Sequence, residues 1–451
     1  MAAKKKAKKK AKKKTTRKKT FTKPSPQSVI REINMRFGDV GPIVRPANEA
    51  YDASDLRRPS GILSLDLATG GGLVAGKVHQ FDGPEGIGKN YLLYRYFGEV
   101  QRRYGDASCL AMVCFESFVD KYFAQMCGCR IAMSEYDLDA TERAREKQGL
   151  PPLTDEEIDQ AMSCPQVGEF HIFEGPSENV LDGVLNAISA NIYQIIGIDS
   201  WDSMLTAAEE KAQLDEVPQV ASPATIQTRW AKKVQDSFHP VYRCPECGYS
   251  PLKKKVINYA KQNFQMECPN SGCGWKGQPE EAMVEVNETS VYCIRQIRAK
   301  LAMGGKVYGR SYKSDGAHAI RHLNQIRVSM HRGEYKKAGK VKIGKEVNWE
   351  ISKAKSGARE GATGSYVLYF DPLEVDVATD TYVQCKKLGV IQQLPGGIFE
   401  IPEIEDEDGD GPFRIRGEEK LINLIERDSD FHDLLRDLAY TKADFGYVRT
   451  T

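Results

Sequence analysis

The segment Gly83-Pro84-Glu85-Gly86-Ile87-Gly88-Lys89-Asn90 constrains the fold more than any other stretch, because it matches a phosphate-binding loop at every position but the last. In the pattern G-x-x-x-x-G-K-[ST], backbone N–H groups wrap a phosphate, the lysine reaches the β- and γ-phosphates, and the final hydroxyl ligates Mg²⁺. Lys89 is therefore a candidate catalytic residue. Asn90 places a carboxamide where the hydroxyl is expected.

The residues on either side of this loop have the pattern that a phosphate site requires. Residues 77–82 form an extended stretch that ends at the glycines, and residues 91–97 begin a helical stretch after them. A strand–loop–helix arrangement points the helix N-terminus, with its unpaired N–H groups and partial positive charge, at an anion. We interpret the segment as a phosphate-binding loop; the alternative is a glycine-rich surface turn.

The length and composition predict a soluble, intracellular protein. A chain of 451 residues with 41% hydrophobic residues can bury one large domain plus appendages. No apolar run approaches the roughly 20 residues that span a bilayer, so no membrane partner is expected. Eleven cysteines without a secretory signal favour a reducing compartment, and we expect a cytoplasmic location.

The N-terminal tail is strongly basic. Residues 1–23 contain thirteen Lys or Arg and no acid, which leaves 51 basic against 62 acidic residues in the rest of the chain. Such a run repels itself, and we expect residues 1–26 to be a disordered arm that neutralises nucleic-acid phosphates. A solubilising tail, a nuclear localisation signal and an arm for an acidic protein partner remain open alternatives.

Between Ser60 and Asp371, apolar strand-like runs alternate with helical ones, which predicts an α/β fold with a mainly parallel sheet. We divide the chain into residues 27–55, an N-terminal helix with a linker, and residues 56–375, the core. The helix is expected to be an oligomerisation helix that docks on a neighbour; packing on its own domain is the alternative. Charged residues 131–166 and cysteine-containing residues 239–287 are expected to be insertions in this core. Residues 376–451 are expected to form a small α+β C-terminal domain.

Four cysteines have the spacing of a zinc ribbon. Cys244 and Cys247 form one pair, and Cys268 and Cys273 form a second pair after twenty intervening residues. Each pair suits one knuckle, and four thiolates complete a tetrahedron around Zn²⁺. Three lysines at residues 253–255 are compatible with a nucleic-acid contact, and a purely structural role is the alternative.

The order of the motifs resembles that of the bacterial RecA recombinase family, with phage-encoded RecA-like recombinases as the nearest comparison. Residues 60–66 (SGILSLD) and 70–73 (GGGL) look like the stretch that precedes the phosphate-binding loop in that family. The resemblance spans residues 27–445 without the two insertions. It implies a RecA-like P-loop ATPase core, with ATP and Mg²⁺ as cofactors.

The resemblance also implies catalytic roles. Glu116, at the end of an apolar run, would activate the attacking water, as a carboxylate near the γ-phosphate can. Asp199 ends a Walker B-like strand and, with Asn90, would hold Mg²⁺. Gln296 would sense the γ-phosphate, and Lys353 with Lys355 would reach into the ATP site of the next protomer.

Two further residues resemble those with which the family holds adenine, Asp120 by a hydrogen bond and Phe123 by stacking, although Tyr122 could stack instead. The expected nucleotide-binding set is Gly83, Pro84, Glu85, Gly86, Ile87, Gly88, Lys89, Asn90, Tyr91, Asp120, Phe123 and Asp199.

DNA would be bound by two loops, at residues 213–222 and 298–314. The second loop interleaves cations with aromatic rings, which suits the phosphates and bases of a single strand; a flexible basic loop with another role is the alternative. Arg295, just before it, departs from the bacterial pattern. The candidate DNA-binding residues are Arg298, Lys300, Lys306, Tyr308, Arg310 and Lys313.

The resemblance therefore implies an ATP-dependent DNA recombinase that forms a helical filament on single-stranded DNA, pairs it with double-stranded DNA and exchanges strands. Single-strand-binding and mediator proteins are possible partners, in the cytoplasm of a host if the chain is phage-encoded; the basic tail leaves a nuclear location open. A hexameric helicase and a repair ATPase with a zinc module are rivals that share the fold. Asn90 motivates a different rival, a nucleotide-dependent DNA-binding scaffold with little turnover.

Overall fold

The computed structural model describes residues 28–30, 33, 55–116, 118–163, 167–211, 223–258, 263–299, 312–314, 318–355, 357–405 and 411–445. The chain divides into two compact units. The larger consists of Tyr51–Arg243 and Met283–Thr451, and the smaller contains Cys244–Ala282. The basic tail lies outside the described residues, as does most of the expected N-terminal helix, of which residues 28–30 and 33 are helical.

The strands and helices of the described residues are numbered separately in chain order. The strands are β1 (Arg57–Arg58), β2 (Leu73–Val74), β3 (Val78–Gly83), β4 (Cys109–Cys114), β5 (Glu169–Phe173), β6 (Ile195–Asp199), β7 (Val241–Arg243), β8 (Lys253–Asn258), β9 (Asn263–Glu267), β10 (Lys276–Gly277), β11 (Met283–Glu285), β12 (Ser290–Ala299), β13 (Tyr312–Ser314), β14 (Ile326–Ala338), β15 (Val341–Ala354), β16 (Thr363–Tyr369), β17 (Gln392–Leu394), β18 (Ile398–Glu405) and β19 (Pro412–Arg416). The helices are α1 (Leu63–Ala68), α2 (Lys89–Tyr104), α3 (Lys121–Met126), α4 (Glu135–Lys147), α5 (Asp155–Ser163), α6 (Ser177–Ser189), α7 (Ala207–Lys211), α8 (Pro223–Ser237), α9 (His318–Leu323), α10 (Val377–Leu388), α11 (Glu418–Arg427) and α12 (Ser429–Ala443).

A nine-stranded sheet organises the larger unit, in the order β16-β15-β14-β3-β12-β6-β4-β5 with β13 added to β12. The six strands from β14 to β5 in this order are mutually parallel, whereas β15, β16 and β13 pair antiparallel. This confirms the predicted α/β class with a mainly parallel sheet.

The strands β4 and β6 are nearly continuous apolar runs because helices cover both faces of the sheet. Phe81 of β3 packs into a core on one face with residues of α2, whereas Ile196 of β6 packs on the other face with residues of α6 and α8. Helix α2 lies so close to β6 that a Cβ on Gly197 would come within 2.9 Å of Leu93 Cδ2. The close contact fixes the helix that follows the phosphate-binding loop.

The C-terminal part contains α10, the three-stranded sheet β17-β18-β19, and helices α11 and α12. Its apolar core includes Leu63 of α1, which joins it to the rest of the larger unit. A nearly buried ion pair between Arg436 Nη2 and Glu99 Oε2 (3.3 Å) joins α12 to α2. The C-terminal part is therefore anchored on the helix that starts at the phosphate-binding loop.

The expected insertion at residues 131–166 contains α4 and α5, and its described part has a small core of Met133, Leu138, Leu153 and Ala161. Helix α4 begins at a capping box, in which Ser134 and Asp137 satisfy each other's backbone N–H groups. Among the described helices, none combines the length and apolar character needed to cross a membrane.

Candidate functional site

The candidate nucleotide site lies at the carboxyl edge of the central strands. Gln296 on β12 pairs with Gly83 at the end of β3, and Asp199 at the end of β6 pairs with Cys114 of β4. Parallel strands deliver their C-terminal side chains to one edge, where ligands of open α/β sheets bind. A cavity of about 340 Å³ opens there, lined by Glu85, Gly86, Ile87, Gly88, Lys89, Asn90, Tyr91, Glu116, Phe123, Asp199, Ile294, Gln296, Lys345, Leu368 and Leu373.

The backbone of the loop requires its glycines. Gly86 and Gly88 have φ angles of 66° and 108°, in the region that favours glycine. A Cβ on Gly83 would meet Ile87 Cγ2 at 2.9 Å and the Met330 carbonyl at 3.0 Å. The loop then turns directly into the sixteen-residue helix α2, whose N-terminus presents N–H groups to the cavity.

Lys89 is held inside the loop. Its amine donates hydrogen bonds to the carbonyl oxygens of Gly83 (3.0 Å) and Pro84 (2.8 Å). Burial lowers the pKa of Lys89, while the carboxylates of Asp199 and Glu116 act in the opposite direction. A buried ammonium that is bonded only through neutral carbonyls gains electrostatic energy when an anion enters the cavity.

The residue that departs from the loop pattern contacts the Walker B-like carboxylate directly. Asn90 Nδ2 donates to Asp199 Oδ2 at 2.6 Å. Burial is the main cause that raises the pKa of Asp199 to about 6; the Asn90 hydrogen bond lowers the pKa, and the charge of Glu116 raises it. A bound cation would stabilise the charged form of this buried carboxylate. The carboxylate and the neighbouring amide offer oxygen ligands, which fit a hard cation such as Mg²⁺.

Glu116 and Gln296, assigned from separate motifs, contact each other. Gln296 Nε2 donates to Glu116 Oε1 at 2.9 Å, and Ser203 Oγ donates to Glu116 Oε2 at 3.4 Å. Both Glu116 and Gln296 line the cavity. Ser203 was not identified from the sequence, since a serine in a short 3-10 turn carries no motif.

Arg295 has a structural role at the position where the chain departs from the bacterial pattern. Its fully buried guanidinium donates to Asp202 Oδ1 at 2.9 Å. The other oxygen of Asp202 accepts the backbone N–H of Gln296 at 3.0 Å. One carboxylate therefore neutralises Arg295 and positions the backbone of Gln296, a link that sequence reasoning did not find.

Of the two expected adenine residues, Phe123 lines the cavity and Asp120 does not. The Asp120 carboxylate instead caps helix α3 by accepting the Phe123 backbone N–H at 2.9 Å. Tyr122 donates its hydroxyl to Glu157 in the helical insertion at 3.1 Å, and it is not among the residues that line the cavity. Tyr91 accepts the backbone N–H of Val375 at 3.0 Å, which fixes the segment following β16 against the cavity.

Lys345 of β15 is a cavity residue that the sequence did not reveal. Its amine donates to the carbonyl oxygen of Gly86 in the phosphate-binding loop. Burial lowers the pKa of Lys345, and the nearby Arg332 lowers it further. In the sequence Lys345 is one of several lysines in a polar hairpin, and only the pairing of β15 with β14 and β16 places it here.

Lys353 and Lys355 lie elsewhere. Both amines donate to the carbonyl oxygen of His322, at 3.1 and 2.5 Å. Burial, and then the charges of Lys355 and Arg327, lower the pKa of Lys353 to about 8. Neither lysine lines the cavity, and Lys353 is eight residues beyond Lys345 in sequence, about 26 Å along an extended strand.

The two candidate DNA-binding loops lie largely outside the described residues, including Lys300, Lys306, Tyr308 and Arg310. The backbones of Arg298 and Lys313 are described, and they are paired partners on β12 and β13. The two ends of the second loop are therefore adjacent, two residues after Gln296.

In the smaller unit, the four cysteines of the expected ribbon converge, all with Sγ atoms within 4.8 Å of one another. Cys244 and Cys273 Sγ atoms are 3.5 Å apart, and those of Cys247 and Cys268 are 3.6 Å apart. Tetrahedral Zn²⁺ with Zn–S bonds of about 2.3 Å implies sulfur–sulfur distances of about 3.8 Å. The cluster, beside the three-stranded sheet β10-β9-β8, is compatible with Zn²⁺.

Comparisons with known proteins point to one group of distant relatives, although no family model matches the chain. The chain is 23% identical to "Protein RecA" of Arthrospira platensis over 73% of its own length and 65% of the relative's. It is 23% identical to "Protein RecA" of Trichodesmium erythraeum over 90% of the chain and 84% of that protein. A shorter stretch, 22% of the chain, is 41% identical to "Protein RecA" of Prochlorococcus marinus strain MIT 9303. The chain is therefore similar, at low identity, to RecA proteins, and its large mainly parallel sheet fits a RecA-like core.

Proposed function

We propose that the chain is an ATP-dependent DNA recombinase of the RecA type, which assembles into a filament on single-stranded DNA and promotes strand exchange. The observation that carries the proposal is the convergence of Lys89, Asp199, Glu116 and Gln296 on one cavity at the carboxyl edge of a parallel sheet. Phosphoryl transfer needs positioning and charge stabilisation at such an edge more than it needs covalent chemistry. The similarity to RecA proteins supports DNA as the partner of this ATPase.

Each residue of the cavity has a role in this reaction. The loop N–H groups and Lys89 bind the phosphates, once Lys89 exchanges its two carbonyl acceptors for phosphate oxygens. Glu116 Oε2 orients and deprotonates a water, while the Gln296 amide holds Glu116 Oε1 in place. Asn90 and Asp199 are the residues that would hold Mg²⁺, which when bound neutralises charge on the β- and γ-phosphates. Phe123 offers an aromatic face to the base.

Gln296 connects the nucleotide to the DNA. Its side chain contacts Glu116, its backbone is held by Asp202, and the second candidate DNA-binding loop starts two residues later at Arg298. A nucleotide that changes the Glu116–Gln296 contact therefore displaces the strand that leads into the loop. This is a physical route by which ATP and DNA can alter each other's affinity.

Lys353 and Lys355 have a proposed role between protomers. They lie at the end of β15 far from the cavity of their own protomer, and both donate to the carbonyl oxygen of His322. Two clustered ammonium groups suit charge that develops on a phosphoryl group. The proposal assigns them to the ATP site of a neighbouring protomer in the filament.

The four-cysteine cluster is proposed to bind one Zn²⁺ that organises the smaller unit. The thiols already have nearly tetrahedral spacing. Zn²⁺ is held by thiolates, so its binding should displace the thiol protons of these cysteines.

The main experiment measures ATP turnover with and without single-stranded DNA for the parent, for Glu116→Gln and for a matched control, Glu146→Gln in the exposed part of α4. Loss of a general base predicts a drop of about 10²–10⁴-fold for Glu116→Gln, with ATP binding retained and the control unchanged. Filaments of the Glu116→Gln variant with ATP and DNA should be visible by electron microscopy. Equal turnover in the parent and Glu116→Gln would contradict the assignment.

A second candidate, a nucleotide-dependent DNA-binding scaffold, is favoured by the contact between Asn90 and Asp199, which replaces the usual metal-binding hydroxyl. The same assay separates the two functions. A scaffold would show ATP-dependent DNA binding in the parent, with turnover no higher than that of Glu116→Gln.

A further inference from the structure

Away from the nucleotide cavity, three side chains with metal-binding atoms meet near the beginnings of two neighbouring strands. Cys109 is the first residue of β4, and Glu169 is its paired partner on the edge strand β5. His171 follows Glu169 by two residues, so the period of a strand places both on the same face of β5. The Cys109 thiol, the Glu169 carboxylate and the His171 ring have ligand atoms that all lie within 4.8 Å of one another.

The spacing of these atoms is close to that of a coordination tetrahedron, though slightly wide for one pair. Cys109 Sγ is 3.9 Å from Glu169 Oε2, and His171 Nε2 is 3.4 Å from the same oxygen. A metal with bonds of about 2.0–2.3 Å to oxygen, nitrogen and sulfur separates its tetrahedral ligands by about 3.3–3.8 Å. Small rotations of side chains that are largely exposed are therefore enough to close the site.

A fourth side chain orients the histidine. Tyr193 OH lies 3.0 Å from His171 Nδ1, and the two rings pack edge to face with centroids 5.6 Å apart. Ligating histidines in metal sites commonly have their second nitrogen fixed by such a partner, which directs the first nitrogen at the metal. With Nδ1 on Tyr193 and Nε2 on Glu169, His171 is also not placed as a general base for the Cys109 thiol.

We propose that Cys109, Glu169 and His171 form a second metal site, for a divalent late transition metal, with Zn²⁺ as the natural occupant. A thiolate with an imidazole selects such ions over Mg²⁺ and Ca²⁺, which take oxygen ligands. Three protein ligands leave the fourth position to water, because Glu169 and His171 face solvent. The metal would join the edge strand β5 to β4 on the sheet, independently of the ribbon cysteines and of the ATPase reaction.

The test measures the number of zinc ions bound per chain of the full-length protein. The protein is first equilibrated at a free zinc concentration lower than the protein concentration. The parent, Cys109→Ser, His171→Gln and a control are compared. The control is His239→Gln, an exposed histidine outside the cluster. The parent and control should each hold one more zinc than Cys109→Ser and His171→Gln, whatever the ribbon contributes. Circular dichroism confirms that each variant is folded, and Glu169→Gln provides a third variant if either fails.

Cobalt supplies an independent readout. The ribbon cysteines would also bind Co²⁺, so the readout is the spectrum of the parent minus the spectrum of Cys109→Ser. This difference should show the d–d absorption of a tetrahedral ion with a single thiolate, and His239→Gln minus Cys109→Ser should show the same difference. An equal metal count in the parent and all three cluster variants overturns the proposal. So does a Co²⁺ spectrum that is the same in the parent and in Cys109→Ser.

Discussion

At the scale of single residues, Asn90 is the position at which the proposed Mg²⁺ site departs from the phosphate-binding loop pattern. Its amide donates to Asp199, and the hydroxyl that normally fixes Mg²⁺ against the β- and γ-oxygens is missing. The loop N–H groups and Lys89 do not depend on this position, so ATP affinity should survive while hydrolysis is slowed.

We therefore expect Asn90→Thr to raise DNA-stimulated turnover about tenfold, equivalent to about 1.4 kcal/mol of barrier, with little change in ATP affinity. Steady-state kcat and the Kd for ATP are the quantities to measure, with Asn90→Ala as the control that removes the amide without supplying a hydroxyl. A threonine variant no faster than the parent would show that the carboxamide serves the metal adequately.

The charged form of Asp199 that the proposed Mg²⁺ site needs is also the form that destabilises the folded protein. Its folded-state pKa of about 6 lies above its ordinary value of 3.8, so the folded protein loses stability as pH rises from about 4 to about 6 and the buried group ionises. The full cost at pH 7 is on the order of 3 kcal/mol without Mg²⁺.

Asp199→Asn should therefore raise the thermal midpoint at pH 7.5 without Mg²⁺ and abolish Mg²⁺-dependent hydrolysis. The gain should shrink as pH falls from about 6 to about 4 and be absent below about 4, where the parent carboxyl is neutral in both the folded and the unfolded state. Calorimetry at the two pH values decides this, and a midpoint lower than the parent's at pH 7.5 would count against the buried-charge account.

Lys345 adds a cation to the cavity from outside the loop motif. Its charge is half-buried against the Gly86 carbonyl, and a charge-assisted bond to a nucleotide phosphate is a stronger alternative. Lys345→Gln should weaken ATP binding about tenfold and leave adenosine binding unchanged, since adenosine has no phosphate. Lys342→Gln, three residues away in the exposed hairpin, is the matched control. An equal loss of affinity for ATP and for adenosine would show that Lys345 does not act through the phosphates.

At the scale of elements, β15 and the residue that follows it carry lysines at two separate sites. Lys345 contacts the loop of its own protomer, whereas Lys353 and Lys355 lie at the other end of the strand. If the distant pair serves a neighbour, two inactive variants should restore each other, because a mixed filament contains interfaces with intact Glu116 on one side and intact lysines on the other.

Lys353→Ala combined with Lys355→Ala should abolish DNA-stimulated hydrolysis without unfolding the protomer. Mixed in equal amounts with Glu116→Gln, it should recover up to about a quarter of the parent rate, the share of intact interfaces expected from random mixing. Lys336→Ala with Lys337→Ala, exposed residues of β14, is the control. A mixture no more active than its components would place the lysines in their own protomer's chemistry or outside the reaction.

The strands and the loop could be predicted because their signals are local. Glycines at Gly83, Gly86 and Gly88 and the apolar runs that end at Asp199 and Glu116 fix the backbone and the strand ends from adjacent residues. The sequence does not reveal the roles of Lys345, Ser203 and Asp202. These roles depend on strand pairing and loop packing between residues that are more than eighty positions apart in the sequence. Arg295 was noticed as a departure, but only its buried partner explains it.

At the scale of the whole molecule, the chain combines a unit with large apolar cores and a smaller unit whose described residues bury very little apolar surface. In the described part of Cys244–Ala282, the fully enclosed residues include Cys244, Leu252 and Met266. So few buried side chains are not expected to offset the entropy of ordering the segment, and the proposed Zn²⁺ would supply the missing folding energy.

Zinc should therefore be required for the smaller unit and dispensable for the larger. Cys244→Ser should lower the zinc content by one per chain and expose the segment between residues 244 and 282 to limited proteolysis, while the larger unit keeps its melting transition and its ATP affinity. Ser271→Ala, an exposed substitution between the second pair of cysteines, is the control and should keep both the metal and the resistance to protease. Because the Cys109 site would hold its own ion, the comparison is the difference between Cys244→Ser and the control. A segment that resists protease equally in the two variants would mean that its three-stranded sheet folds without the metal.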